Sequence, residues 1–206
     1  MKIGPKYKIS RYLGEPVFPK CETPKFALSR AKKGGKSFRK KPKTEYGNQL
    51  VEKQKIRYTY NISEKQMSNY VQKAQEKKGM PPHETLFNTL EMRLDNVLYR
   101  AGFIPTRQFA RQVVSHGHIL VNDVRTRIPS FLLKKEDVVS VRKGSKESGI
   151  FKGGNEVLKL KGDKAPNWIS VDSKKFEIKI TGTPQFESRR ELTLDFGRVI
   201  EFYSRV

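Results

Sequence analysis

The sequence predicts an α+β chain: a basic extended N-terminal arm, a helical domain, and an inserted module of two helices packed on a small, mostly antiparallel sheet. Three observations predict it. Apolar residues recur at helical spacing over residues 63–79, 90–101 and 106–114. The period drops to two after His116-Gly117, where short strands begin. The first 43 residues carry no such period and are broken by Pro5, Pro16, Pro19, Pro24 and Gly34-Gly35.

The arm holds 14 Lys and Arg against Glu15 and Glu22, a net +12 of the chain's +22. Without an apolar period it is expected to lack a core of its own and to order on a polyanion. Tyr7, Tyr12, Phe18, Phe26 and Phe38 are interleaved with the cations, suited to stacking on bases or packing on neighbours. Residues 46–60 are strong helix formers with a basic face, Lys53, Lys55 and Arg57. Their apolar surface is little more than Tyr46, Leu50 and Ile56, so this helix must lean on another element. Ser63-Glu-Lys-Gln66 is a capping box, and Met67, Tyr70, Val71 and Ala74 form the inward stripe of the helix it opens. Gly79 and Pro81-Pro82 end it.

Next, Leu90, Leu94, Val97, Leu98 and Ala101 make one apolar stripe, while Arg93, Asn96 and Arg100 fall together on another side. The spacing predicts a single helix with an outward basic edge, stopped near Ala101 by Gly102 and Pro105. Thr106 is a suitable N-cap for a second helix, with Phe109, Ala110, Val113 and Val114 inward and Arg107 and Arg111 four apart on an outer face. Ile119 to Val121 then turns at Asn122-Asp123 into 124–128. Residues 137–142 and 176–180 read as strands, with 168–171 placed between them in the same sheet. A short helical excursion is expected near 148–162, bracketed by Gly153-Gly154 and Gly162, and the apolar 199–203 is expected to be buried.

Charge limits the function class. With 43 Lys and Arg against 21 Asp and Glu, the folded chain repels itself unless a polyanion neutralises it. The outer residues of the central stretch mix cations with amides, a set suited to phosphate oxygens, sugar hydroxyls and base edges, so RNA is the expected ligand. One cysteine, Cys21, excludes an internal disulfide and a four-cysteine zinc site within the chain. No stretch is long and apolar enough to cross a bilayer, and the N-terminus has no signal-peptide pattern. His116 and His118 lack a third ligand at metal spacing, so no metal or other cofactor is expected, and no Walker-type loop, nucleophile elbow or carboxylate pair implies a small-molecule substrate.

The string Leu90-Glu-Met-Arg-Leu-Asp-Asn-Val-Leu-Tyr-Arg-Ala-Gly-Phe103, followed by Thr106-Arg-Gln-Phe-Ala-Arg-Gln-Val-Val-Ser-His-Gly-His-Ile-Leu-Val-Asn122 and Ile128-Pro-Ser130, resembles the RNA-binding module of the bacterial-type S-four family of small-subunit ribosomal proteins. The likeness extends to Gly4-Pro-Lys-Tyr-Lys-Ile-Ser-Arg11, to Tyr46-Gly-Asn-Gln-Leu-Val-Glu-Lys-Gln-Lys-Ile-Arg57 and to Glu201-Phe-Tyr-Ser-Arg205, in family order. It implies an arm over 1–43, a discontinuous helical domain of 44–90 with 185–206, and an RNA-binding module over 91–184. The sequence departs from the longer alanine-rich helix usual in the family near 148–162, and the cysteine cluster some relatives use for zinc is reduced to Cys21.

Function follows from the same resemblance. It implies a structural constituent of the small ribosomal subunit that binds the five-prime domain of its ribosomal RNA, nucleates assembly of the subunit body and contributes to decoding accuracy beside S-five and S-twelve. RNA contacts are expected from Lys6, Arg11, Tyr46, Gln49, Lys53, Lys55, Arg57, Arg93, Asn96, Arg100, Thr106, Arg107, Arg111, Gln112, His116, His118 and Asn122. Lys40, Lys41 and Lys43 match the family's messenger entry channel, with Pro42 keeping their segment extended. The location implied is a cytoplasmic ribosome, an organellar one being the other possibility. Two readings compete: a free RNA-binding regulator or modification factor using the same module, and a pseudouridine synthase suggested by Arg93-Leu-Asp95. The synthase motif needs a Gly-Leu turn after the aspartate, where Asn96-Val-Leu continues a helix. Asp95 is therefore read as an acceptor orienting Arg93 or Arg100, and no enzyme is expected.

Overall fold

The computed structural model describes residues 3–26, 44–152, 165–172, 174–186 and 194–205. In chain order the elements are α1 (Lys6–Leu13), a 3-10 turn (Pro19–Cys21), α2 (Glu45–Thr59), α3 (Glu64–Glu76), α4 (Pro82–Glu91), α5 (Leu94–Arg100), α6 (Arg107–Ser115), β1 (Ile119–Val121), β2 (Val124–Thr126), β3 (Val138–Val141), α7 (Lys143–Lys146), α8 (Gly149–Lys152), β4 (Ile169–Asp172), β5 (Glu177–Ile180) and α9 (Phe196–Ser204). They form two units: 1–86 with 187–206, and 87–186. This boundary falls inside α4.

The first unit is helical. Thr44 caps α2 by accepting from the Gly47 amide at 3.2 Å, and Ser63 and Gln66 make both bonds of the capping box that opens α3. Val51, Ile56, Met67, Val71, Phe196, Val199 and Phe202 are buried, so α9 returns to the helices formed far earlier in the chain. The exposed basic face expected on α2 is corrected. Lys53 and Lys55 are only 6% and 7% exposed. Lys53 Nζ lies 2.6 Å from Glu64 Oε1 and over the Phe202 ring, 4.4 Å from its centroid; Lys55 Nζ lies 2.8 Å from both Glu15 Oε1 and Glu52 Oε1. Their apolar stems supply the packing that the few aliphatic residues of α2 cannot, and carboxylates meet the ammonium heads at the edge of that packing.

The arm is corrected too, for residues 3–26. Phe18, Cys21 and Phe26 are buried together, with Ile3, Tyr7, Ile9 and Tyr58 packed on them. Tyr7 stacks on Phe26 at 5.6 Å between centroids, and Phe18 meets Tyr58 edge-on at 5.7 Å. Large aromatic rings bury enough surface to fix a short segment that has no helical period. Lys40, Lys41, Lys43 and Phe38 lie outside the described residues, as does the greater part of the 148–162 excursion.

The second unit packs α5 and α6 on one face of a five-stranded antiparallel sheet of order β2-β1-β3-β5-β4. Leu94, Val97, Leu98, Ala110, Val113 and Val114 meet Ile119, Val121, Val139, Val141, Ile169, Ile178 and Ile180 in one core. The strand expected between the other two is instead the sheet edge, because β5 pairs with both β3 and β4. The predicted 90–101 helix is also two helices. Arg93 is extended (φ −69°, ψ 138°) and bridges Leu132, while the Leu94 and Asp95 amides donate to the Phe131 and Pro129 carbonyls at 2.9 and 3.1 Å. The 129–132 segment thus meets the free donors at the start of α5, and the register of apolar residues survives the break.

Candidate nucleic-acid interface

The break at Arg93 decides the fate of three expected RNA contacts. Its guanidinium is fully buried and bidentate on Asp95, with Nε 3.0 Å from Oδ1 and Nη2 2.6 Å from Oδ2. Asn96 is 1% exposed and donates to both the backbone oxygen and Oε2 of Glu91, at 3.0 and 2.9 Å. Arg100 clasps the same carboxylate through Nε at 2.9 Å and Nη2 at 2.8 Å. The expected outward edge of Arg93, Asn96 and Arg100 is therefore corrected to an internal network. Two carboxylates, Glu91 and Asp95, neutralise two guanidinium groups that burial would otherwise penalise. Asp95 orients Arg93 as the sequence reading has it, whereas Arg100 belongs to Glu91.

That network reaches outward through one residue. Asn96 Oδ1 accepts from Arg107 Nε at 2.6 Å, and the Arg107 guanidinium lies over the Tyr99 ring at 4.3 Å. The half-buried Arg107 is thereby held at the first turn of α6, whose N-terminus is capped by Thr106 accepting from the Phe109 amide at 3.2 Å. The Thr106 hydroxyl is thus used within the fold. Arg111 stands one turn further along, half-buried, beside the exposed Gln108, Gln112 and His116. Such a row presents cations and amides from a rigid rod.

Further along the chain, Asn122 is held internally: its amide donates to Asp137 Oδ1 at 2.9 Å and its oxygen accepts from the Val138 amide at 2.9 Å, pinning the turn to β3. The His116 and His118 rings lie 6.0 Å apart, and His118 Nδ1 is 2.9 Å from Ser145 Oγ. Burial pushes the His118 pKa below its ordinary value, and His116, Arg142 and Arg125 push it the same way. Among the described residues, no group of three His, Cys, Asp or Glu is placed to hold a metal ion.

In the other unit, Gln49 is buried and donates to Glu201 Oε2 at 2.9 Å. Arg57 reaches Glu64 Oε2 at 3.3 Å, and burial, which opposes charge on Glu64, is outweighed by Lys53, Tyr203 and Arg57, so its carboxyl sits below the usual range. The Tyr203 hydroxyl donates to Glu64 at 2.7 Å, and burial and that carboxylate push the phenol pKa up. Arg11 donates to the Tyr7 carbonyl at 3.1 Å, Lys6 stands 5.9 Å from the Phe18 ring centroid, and Tyr46 is half-exposed against Phe202.

The sequence reading missed Arg125, Arg127 and Arg142. Leu120 pairs with Arg125 on one side and Ser140 on the other, while Ile119 and Val121 turn to the core, so Arg125 stands on the sheet side away from the helices. Continued one residue beyond the strands, the same alternation assigns His118, Arg127 and Arg142 to that side, a signal legible once β1, β2 and β3 are aligned.

Comparison with known proteins agrees with this architecture. Residues 1–91 match the family described as ribosomal protein S4/S9 N-terminal domain, and residues 92–139 match the S4 domain. The chain is similar to the small ribosomal subunit protein uS4 of Aquifex aeolicus, 36% identical over 209 residues covering 99% of this chain and 98% of that one. It is 40% identical to the proteins of the same name from Thermotoga petrophila and Halothermothrix orenii, with 98% of each chain covered. With matches that run end to end on a fold carrying the S4 domain, the chain belongs to the uS4 family of non-enzymatic, structural proteins of the small ribosomal subunit.

Proposed function

We propose that this chain is a primary binder of small-subunit ribosomal RNA that nucleates assembly of the subunit body. The observation that carries the reading is the row on α6, where Arg107, anchored by Asn96 and Tyr99, is followed by Arg111, Gln112 and His116 on the solvent side. Ordered guanidiniums on a helix bind phosphates with little entropy left to lose, and the +22 charge supports many such contacts with converging RNA helices. The RNA expected is the five-prime domain, the protein neighbours are S-five and S-twelve, and the location is the ribosome of the bacterial-type cytoplasm. Lys40, Lys41 and Lys43 contact messenger RNA at the entry channel in the same reading, as point charges that hold a phosphate backbone without reading sequence and so suit a strand that must slide.

The test is binding to a five-prime-domain transcript across a salt series. The slope of log K against log salt should be about −0.7 to −0.9 per phosphate contacted, several units in all, and affinity should exceed that for an unrelated RNA of equal length. A slope near zero, or equal affinity for both RNAs, overturns the reading. For the entry channel, ribosomes carrying Ala at residues 40, 41 and 43 should assemble normally yet stall on a messenger with a stable hairpin. An assembly defect with normal hairpin transit removes that role.

A further inference from the structure

The fold gathers a second set of cations on the sheet side away from the core. Arg125 donates from Nε to the Gly117 carbonyl at 3.0 Å and from Nη2 to the His116 carbonyl at 3.3 Å, which places its guanidinium at the C-terminal end of α6. Those bonds satisfy helix-end carbonyls and leave donors on the planar fork for something else. Gly117 makes the approach possible. It is left-handed (φ +74°), and a Cβ there would stand 2.5 Å from Arg125 Nε.

Beside it, the Arg142 amide donates to the His118 carbonyl at 2.9 Å, and Ser145 Oγ stands 2.9 Å from His118 Nδ1 and 3.4 Å from Arg142 Nε. Arg127 and Arg142 act on Arg125 as like charges, and His116, Arg142 and Arg125 act on His118 in the same sense. The cluster thus sets like charges close together, in contrast to Arg93 and Arg100, each of which has its own carboxylate.

We propose that Arg125, Arg127 and Arg142, with the His116 and His118 rings, form a second phosphate site for the RNA backbone, continuous through His116 with the row on α6. The inference rests on the RNA-binding reading above. Its ligand is a phosphodiester: a fork of fixed N–H donors fits phosphate oxygens, and contacts of this type add affinity without reading sequence.

The experiment uses the full-length chain with Arg127→Gln and Arg142→Gln, singly and together. Arg125 is left in place because it also supports the helix end. Probes are the five-prime-domain transcript, an unrelated RNA of equal length and poly-glutamate, each titrated across a salt series. Each substitution should lower the magnitude of the salt slope by about 1 and weaken both RNAs by the same factor, roughly tenfold. Unchanged slopes and affinities for both RNAs overturn the site, and so does weakened binding of poly-glutamate with RNA binding intact, which would assign the cluster to an acidic protein segment. If the parent chain fails to prefer the transcript, the proposed function falls instead, and the sequence-independent loss on both RNAs still decides the site.

Discussion

Two polar clusters within residues 87–186 use the same residue types to opposite ends. Around the start of α5, Arg93 and Arg100 are matched by Asp95 and Glu91, shielded from water and tied to Asn96. Around the end of α6, Arg125 has Arg127 and Arg142 as like-charged neighbours, and His118 has Arg125, Arg142 and the His116 ring. The difference teaches that a cation's role is set by its nearest counter-charge. In the first cluster the chain supplies that charge and the cations lie inside the fold; in the second, on the proposal above, an RNA phosphate supplies it.

The largest effect that would break this comparison comes from the first cluster. Asp95→Ala should remove the carboxylate that is bidentate on the buried Arg93 and cost about 3–5 kcal/mol, read as a fall in the denaturant midpoint. A loss under about 1 kcal/mol would show that water reaches Arg93 and that the pair is not structural.

Arg107 stands between the clusters, bonded inward to Asn96 and carried at the start of the α6 row, and it sharpens the contrast. Arg107→Ala with Arg111→Ala should weaken RNA binding by about 1–3 kcal/mol each, measured by titration with the five-prime-domain transcript. Thermal unfolding of the same samples should change less than for Asp95→Ala. A reversed order would place α6 with the structural cluster.

Gly117→Ala probes the second cluster through its backbone. The left-handed φ and the 2.5 Å approach to Arg125 force that side chain off the helix end, so stability should fall by about 1–2 kcal/mol and the salt slope for RNA should shrink. Unaltered slope with lowered stability would separate Arg125's support of α6 from any contact with phosphate.

The smallest effect is a pH dependence with two windows. His118 has a folded pKa below its ordinary 6.5, so the unfolded chain takes up the proton first, and stability is complete above 6.5 and declines as pH drops below it. His118→Gln should remove that decline. Glu64, held below its ordinary 4.5, contributes stability that is present above 4.5 and is lost as pH falls through its lower folded value. Denaturant midpoints from pH 8 to pH 3 would show both, and a flat profile between pH 7 and pH 5 would contradict the first.

Much of this was legible beforehand because its cause is local. The capping box at Ser63, the Thr106 cap, the Asn122-Asp123 turn and the alternation in Ile119 to Val121 are determined by residues within a few positions of one another. The α6 row was legible for the same reason, since its inward face is fixed by Ala110, Val113 and Val114. The helix of 90–101 was misread because an apolar stripe runs unbroken through a backbone break that only the 129–132 segment imposes. The arm was misread because Phe18, Cys21 and Phe26 bury themselves without any period.

By itself the sequence determined the α+β class, the caps and turns, the excess of positive charge and the end-to-end likeness to its family. Tertiary structure alone decided which cations are spent inside. Lys55 finds Glu15 across 40 residues, Gln49 finds Glu201 across 152, and β2, which carries Arg125, and β3, which ends next to Arg142, flank β1 only once the sheet is formed. A side chain's charge is local, but its electrostatic energy depends on counter-charges and water within a few ångströms, and those distances exist only in the folded chain.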